Sequence, residues 1–168
     1  MKLLIASDVH GSAFWCRKLL EKFESEGADK LILLGDVLYH GPRNPLPDEY
    51  NPKAVFEMLN AVADKIIAVR GNCDSEVDQM VLAFKVSADY AVIYDGDKKL
   101  TLSHGHRQTP PLGKEDVYLT GHTHEPLNCR EKEGYLHLNP GSVSLPKDAK
   151  NTHGYILYDS GAFTFKTL

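Results

Sequence analysis

Lys2-Leu3-Leu4-Ile5-Ala6-Ser7-Asp8-Val9-His10-Gly11 opens the chain with a short apolar run that ends in a polar knot. Lys2–Ala6 carries no apolar/polar alternation, which is the pattern of a strand buried on both faces. The knot behind it sets a carboxylate and an imidazole two residues apart. On an extended segment both turn to one side when Val9 points away.

The same unit recurs along the chain. Leu31–Leu34 is a second buried strand and ends in Gly35-Asp36. Lys65–Val69 is a third and ends in Arg70-Gly71-Asn72-Cys73-Asp74. Leu100–Ser103 leads into His104-Gly105-His106, and Val117–Thr120 into Gly121-His122-Thr123-His124.

Helices fill the gaps between the first three runs. Ser12 is a good N-cap, and Trp15, Leu19 and Phe23 recur at i, i+4 and i+8, with Cys16 and Leu20 beside them on one apolar face. Gly27 closes that helix. His40–Asn51 contains Pro42, Pro45 and Pro47 and reads as a loop. Asn51-Pro52 then supplies an N-cap with proline at the first helical position, before the apolar face Val55, Phe56, Leu59, Val62 and Ala63. The order is βαβαβ, so these strands are expected parallel with right-handed crossovers.

The second half changes character. Val92–Tyr94 and Leu100–Ser103 flank the turn Asp95-Gly96-Asp97. Val117–Thr120, Tyr135–Leu138, Tyr155–Tyr158 and Phe163–Phe165 follow with few helical signals. A β-rich half packed as a second sheet against the first is expected. Asn139-Pro140-Gly141-Ser142 reads as a tight turn that supports neighbouring loops, with Gly141 at positive φ. No linker or repeat divides the chain, so residues 1–168 are expected to form one α/β domain. In such sheets ligands bind outside the carboxyl ends of the strands, where the five knots fall.

Bulk properties narrow the function. At 168 residues and 42% apolar content the chain can bury a real core. A net charge of −4 without long charge runs argues against a broad nucleic-acid or membrane footprint, and leaves small polar substrates open. Cys16, Cys73 and Cys129 are odd in number and widely spaced, which suits a reducing compartment. The first apolar run is too short for a signal segment, and no stretch nears the roughly 18 apolar residues of a membrane span. A cytoplasmic protein is expected.

Taken singly, each knot is an ordinary turn; Gly-Asn, for instance, is a common turn dipeptide. Taken together they offer Asp8, His10, Asp36, Asn72, His104, His122 and His124, a mixed oxygen and nitrogen donor set without thiolate. Such a set favours Mn²⁺, Fe²⁺, Co²⁺, Ni²⁺ or Zn²⁺ over Ca²⁺ or Mg²⁺. Asp36 follows a glycine, and its two oxygens can span two cations.

D-x-H, G-D, G-N-x-D, H-G-H and G-H-T-H in this order resemble the calcineurin-like metallophosphoesterase superfamily, over essentially the whole chain. Gly35-Asp36-Val37-Leu38, Arg70-Gly71-Asn72-Cys73-Asp74 and Asn139-Pro140-Gly141-Ser142 are most similar to the small bacterial phosphodiesterases of the YfcE type. The resemblance implies a two-sheet β-sandwich flanked by helices in four layers, α/β/β/α, with a dinuclear site on one rim. Asp8, His10, Asp36 and His124 would hold one metal. Asp36, Asn72, His104 and His122 would hold the other, with Asp36 bridging and Mn²⁺ the first choice of ion. A metal-bridging hydroxide would attack phosphorus of a small phosphodiester in line.

Many members of the superfamily carry histidine where this chain has Cys73, a change that the YfcE-type branch shares. The general acid is therefore open among His106, Asp74 and a water. Cations would lower the thiol pKa toward thiolate, which cannot donate a proton. Asp74 is expected to orient His106, His104 or a neighbouring ligand. Arg70 and Arg43 are candidate phosphate contacts, and His40 can approach substrate. The loop His40–Asn51, with Tyr39 and Tyr50, is a candidate substrate wall or homo-oligomer contact; His137 and His153 are not expected to be ligands. Two other readings compete. The fold also serves as a non-catalytic protein-binding scaffold in the retromer subunit of eukaryotes. Some relatives cut nucleic acid, but the absence of a basic excess weighs against that.

Overall fold

The computed structural model describes residues 1–168. Its strands are β1 (Lys2–Ala6), β2 (Lys30–Leu33), β3 (Ile66–Ala68), β4 (Tyr90–Asp95), β5 (Lys98–Ser103), β6 (Val117–Leu119), β7 (Pro126–Arg130), β8 (Leu136–Pro140), β9 (Gly154–Asp159) and β10 (Ala162–Thr167). Helices α1 (Ala13–Ser25) and α2 (Pro52–Asn60) fall between the first three strands. Two mixed five-stranded sheets result, ordered β10-β9-β1-β2-β3 and β4-β5-β6-β8-β7. β1, β2 and β3 are parallel in one sheet, and β5, β6 and β8 are parallel in the other.

The unalternated strands have the predicted cause, since both faces of the first sheet are covered. Leu4, Ala6, Leu31 and Leu33 face the helices with Leu19, Phe23, Val55 and Leu59. Leu3, Ile5, Ile32 and Leu34 face the second sheet, against Leu100, Leu102, Val117, Leu119 and Leu138. Ser12 accepts from the Trp15 amide and Asn51 from the Ala54 amide, which starts each helix where the capping residues stand. Gly27, at φ 61°, ends the first.

Three features differ from expectation. β9 and β10 do not join the second sheet. β9 pairs antiparallel with β1 and has both faces buried, with Tyr155 and Leu157 toward the helices and Ile156 and Tyr158 toward the inter-sheet core. β7 is an edge strand exposed at all five positions, so no apolar signal marks it, and Pro126 masks it further. Both helices lie on the outer face of the first sheet. On the outer face of the second sheet the Gln108 carbonyl accepts from the Tyr90 hydroxyl, while Val92 and Tyr94 stay exposed.

Candidate metal centre

All five polar knots leave the carboxyl ends of parallel strands at one rim. Backbone bonds splice them together: the Asp8 amide donates to the Gly35 carbonyl, the His10 amide to the Asp36 carbonyl and the Gly121 amide to the His104 carbonyl. Two glycines permit this approach. A Cβ on Gly71 would strike Asp36 Oδ1, and one on Gly121 would strike Ser7 Oγ and stand 2.8 Å from Asp8 Oδ2. Gly121→Ala is accordingly expected to cost about 1–3 kcal/mol in urea unfolding through forced displacement. Gly113→Ala, whose Cβ would meet only Asp116 at 3.4 Å, is expected to stay within about 0.5 kcal/mol. Equal costs for the two would overturn this account of the rim.

Backbone strain concentrates in the same place. Asp8, His10, Asp36, His122 and His124 all have positive φ, between 49° and 70°. Left-handed backbone is disfavoured for residues with a Cβ and persists where surrounding bonds over-determine it. Around Asp8 those bonds come from Ser142, at the end of the Asn-Pro-Gly-Ser turn, and from the two residues after it. The Ser142 and Ser144 hydroxyls both donate to the Asp8 carbonyl, and the Val143 amide donates to the Ser7 carbonyl. Asn139 donates to the Gly121 carbonyl at 2.7 Å and accepts from the Gly141 amide, so the Asn-Pro-Gly-Ser turn buttresses the histidine loop as expected.

Two donor groups meet across Asp36. Asp8 Oδ1 lies 3.5 Å from His10 Nε2 and 3.2 Å from His124 Nε2, and those two nitrogens are 3.2 Å apart. Asp36 Oδ2 lies 3.7 Å from His10 Nε2 and 3.3 Å from His104 Nε2, and His104 Nε2 is 3.0 Å from Asn72 Oδ1. His122 stands at the edge: its amide donates to Asp8 Oδ2, and its ring centroid is 5.1 Å from that of His104.

The chemistry of this set fits divalent metal. His10, His104 and His124 each turn Nδ1 to a backbone carbonyl, of Tyr39, Leu34 and Leu145, at 2.6–2.7 Å. In a neutral ring that assigns the proton to Nδ1, and in each case it leaves Nε2 facing inward. Two inward lone pairs 3.2 Å apart repel unless a proton or a cation lies between them. Asp8 Oδ1, fully buried beside them, has no hydrogen-bond partner at all.

Electrostatics follow from the same contacts. Burial pushes the Asp8 carboxyl up, but the close imidazoles of His10 and His124 outweigh it and hold it well below the usual range. For His104 burial favours the neutral ring, yet Asp36 and Asp8 carry it up to about 9. Burial, together with the charge of His104, holds His122 and His106 below the ordinary imidazole value. The Cys73 thiol is pushed up to about 12 by burial and by Asp36. The protein framework alone therefore keeps Cys73 neutral, whereas the expectation of a lowered pKa required cations.

Four sequence expectations need correction. Asp74 orients no histidine. Its carboxylate accepts from the Asp36, Val37 and Gly71 amides at 2.7–2.8 Å, locking the two glycine loops together, and its burial raises it to about 6. Arg70 spends its guanidinium Nε on the Asp74 carbonyl and does not line the cavity over the centre. His40 is wedged edge-on between Tyr39 and Tyr50, also off that cavity. His106 packs edge-on to His104 at 5.3 Å, with a buried Nδ1, outside the cavity wall. Asp36, Asn72, Cys73, His122 and His124 do line the cavity, and Arg43, Asn44 and Lys147 join them. Lys147 had no sequence signal, being a lone lysine in a loop. His137 bonds Thr120 and Glu131, and His153 stacks on Trp15, so neither reaches the centre.

Comparison with known proteins gives a consistent picture. The family description "Calcineurin-like phosphoesterase superfamily domain" matches residues 1–161. The chain is 48% identical over 164 residues to the phosphodiesterase YfcE of Escherichia coli K12, covering 95% of this chain and 88% of that protein. A solved structure of the E. coli YfcE phosphoesterase superposes with a TM-score of 0.93, covering 98% of this chain and 91% of that one. The phosphodiesterase MJ0936 of Methanocaldococcus jannaschii is 31% identical over 152 residues, covering 84% and 83% of the two chains. Zinc-complexed Vps29 of Entamoeba histolytica, at 18% identity and a TM-score of 0.60 over 100% of this chain and 98% of that one, shares the fold.

Proposed function

Since the chain belongs to the calcineurin-like phosphoesterase superfamily, we propose that it is a phosphodiesterase that hydrolyses small phosphodiesters at a dinuclear metal centre. Asp8, His10, Asp36 and His124 would hold one divalent ion and Asp36, Asn72, His104 and His122 the other, with Mn²⁺ the first candidate. The ions supply Lewis-acid charge for the phosphoryl oxygens and a nucleophilic oxygen at neutral pH. The observation that carries this reading is the set of three imidazoles pinned through Nδ1, with their Nε2 atoms facing Asp8 and Asp36.

The protein's own part is positioning. Backbone carbonyls fix the rings of His10, His104 and His124, so these need not rotate when substrate arrives. The Asp74 carboxylate and the Ser142 and Ser144 hydroxyls hold the Asp36 and Asp8 loops in their strained conformations. Proton delivery to the leaving oxygen falls to water from the open cavity, because Asp74 is taken up by backbone amides and His106 does not line that cavity.

Bis(p-nitrophenyl) phosphate with Mn²⁺, Co²⁺, Ni²⁺ or Zn²⁺ should release p-nitrophenol. Absence of turnover with all four metals would favour the protein-binding scaffold instead. Cys73 lies within 4.8 Å of His10 and Asp36 donor atoms, so its role can be tested directly. Cys73→Ser should keep diester turnover within about fivefold, since loss of a true general acid costs about 10²–10⁴-fold. A larger fall would assign the proton to the thiol. Cys73→His should raise monoester hydrolysis relative to diester, and an unchanged ratio would exclude residue 73 from setting specificity.

A further inference from the structure

The cavity over the centre holds about 330 Å³, and its wall is almost wholly polar. Arg43, Asn44 and Lys147 line it together with the residues of the metal-binding loops. Neither Arg43 nor Lys147 makes an ion pair, and neither side chain donates a hydrogen bond to protein. Several other cations on this molecule are committed: Arg17 to Glu49, Lys99 to Asp116 and Lys166 to Glu26, for example. The Lys147 backbone is fixed where it matters, because its amide donates to the carbonyl of His124.

The cavity does not end at these residues. Asn44 and Lys147 also line a second cavity of about 340 Å³, walled by Leu46, Pro47, Leu145 and Pro146. The two cavities thus adjoin at Asn44 and Lys147, and the second runs between two proline-bearing loops. A diester phosphate has one negative charge, which the centre itself neutralises. Two further uncommitted cations therefore match charge elsewhere on the substrate.

We propose that Arg43 and Lys147 form an anion subsite, and that the diesters this protein prefers carry a second anionic group on one ester arm. This deepens the hydrolase reading and rests on the same cavity. Arg43 offers a planar fork suited to carboxylate or phosphate, and Lys147 a mobile point charge at the junction of the two cavities. The carbon skeleton of the arm lies against the proline and leucine walls beyond Lys147.

The test is a matched pair of non-hydrolysable probes, 4-phosphonobutyrate and butylphosphonate, titrated calorimetrically into the Mn²⁺-loaded protein. The carboxylate should tighten binding about tenfold at low salt, and Arg43→Gln/Lys147→Gln should erase that difference. A wild type that does not bind the carboxylated probe more tightly overturns the subsite, as does a preference that survives in the double variant. Turnover separates the two claims. The ratio of kcat/KM for p-nitrophenyl 2-carboxyethyl phosphate over p-nitrophenyl phosphorylcholine should collapse in the double variant. An equal fall for both substrates overturns the subsite by assigning the cations to the transferred phosphoryl group. If wild type turns over no diester with any metal while the carboxylate preference in binding stands, the hydrolase reading fails and the anion subsite remains.

Discussion

Asp36→Asn is expected to lower diester turnover by about a hundredfold or more, while leaving the fold in place. In the proposed centre Asp36 is the one side chain that both ions would share. Its Oδ1 accepts from the Cys73 amide at 2.8 Å, and its Oδ2 lies 3.3 Å from His104 Nε2 and 3.7 Å from His10 Nε2. Asparagine has the same shape and can keep the Cys73 bond. It loses the charge, and it places an amide nitrogen where a second oxygen must face the imidazoles. The carboxylate is ionised in the native protein: burial raises it, but His104 more than compensates and holds it below its ordinary value. Steady-state kinetics with bis(p-nitrophenyl) phosphate and metal analysis of the dialysed protein check the outcome. Bound metal should fall from two ions per chain toward one. Activity within tenfold of wild type would remove Asp36 from its bridging role.

Much of this centre is legible in the chain because strand ends and ligands coincide in sequence. Leu31–Leu34 followed by Gly35-Asp36 reads as a buried strand that delivers a carboxylate, and the βα periodicities place it at the rim. What cannot be read is what side chains do once backbone amides compete for them. Asp74 looks like a ligand partner from its neighbours in sequence. Three amides from two glycine loops converge on it instead, an arrangement fixed only when β2 and β3 are paired. Arg70 is drawn off by the carbonyl of that same aspartate. Lys147 and Ser144 are invisible for the opposite reason. They sit in a loop more than a hundred residues from Asp8, and only the return of β9 to pair with β1 carries that loop to the site. β9 in turn was misassigned because its pattern, buried on both faces, fits either sheet until its partner is known.

Metal should invert the pH dependence of stability, and His104 is the reason. In the metal-free protein its pKa is raised from 6.5 to about 9. Burial favours the neutral ring, but the Asp36 bond and the charges of Asp8 and Asp36 win. A raised imidazole pKa means that the folded state binds the proton more tightly than the unfolded chain does. The stabilisation is therefore complete below about pH 6.5 and is lost as pH rises through about 9. A difference of this size corresponds to roughly 3 kcal/mol. His10, also raised, acts in the same direction, and Asp74, which titrates at about 6, lies below this window. Metal binding requires the opposite state, because Nε2 must be unprotonated to act as a donor, so affinity climbs with pH. At a free metal concentration a hundredfold above Kd the gain is about 2.7 kcal/mol, or roughly 5–10 °C in Tm for a chain of this length. Thermal melts between pH 6.5 and 9 should fall steadily for chelator-treated protein and hold level or rise with Mn²⁺, the two curves lying furthest apart near pH 9. Asp36→Asn, which removes the main partner of protonated His104, should flatten the metal-free curve. A metal-free profile that is already flat in the wild type would show that His104 is not held protonated by Asp36, and the proton–metal exchange at this ring would have to be abandoned.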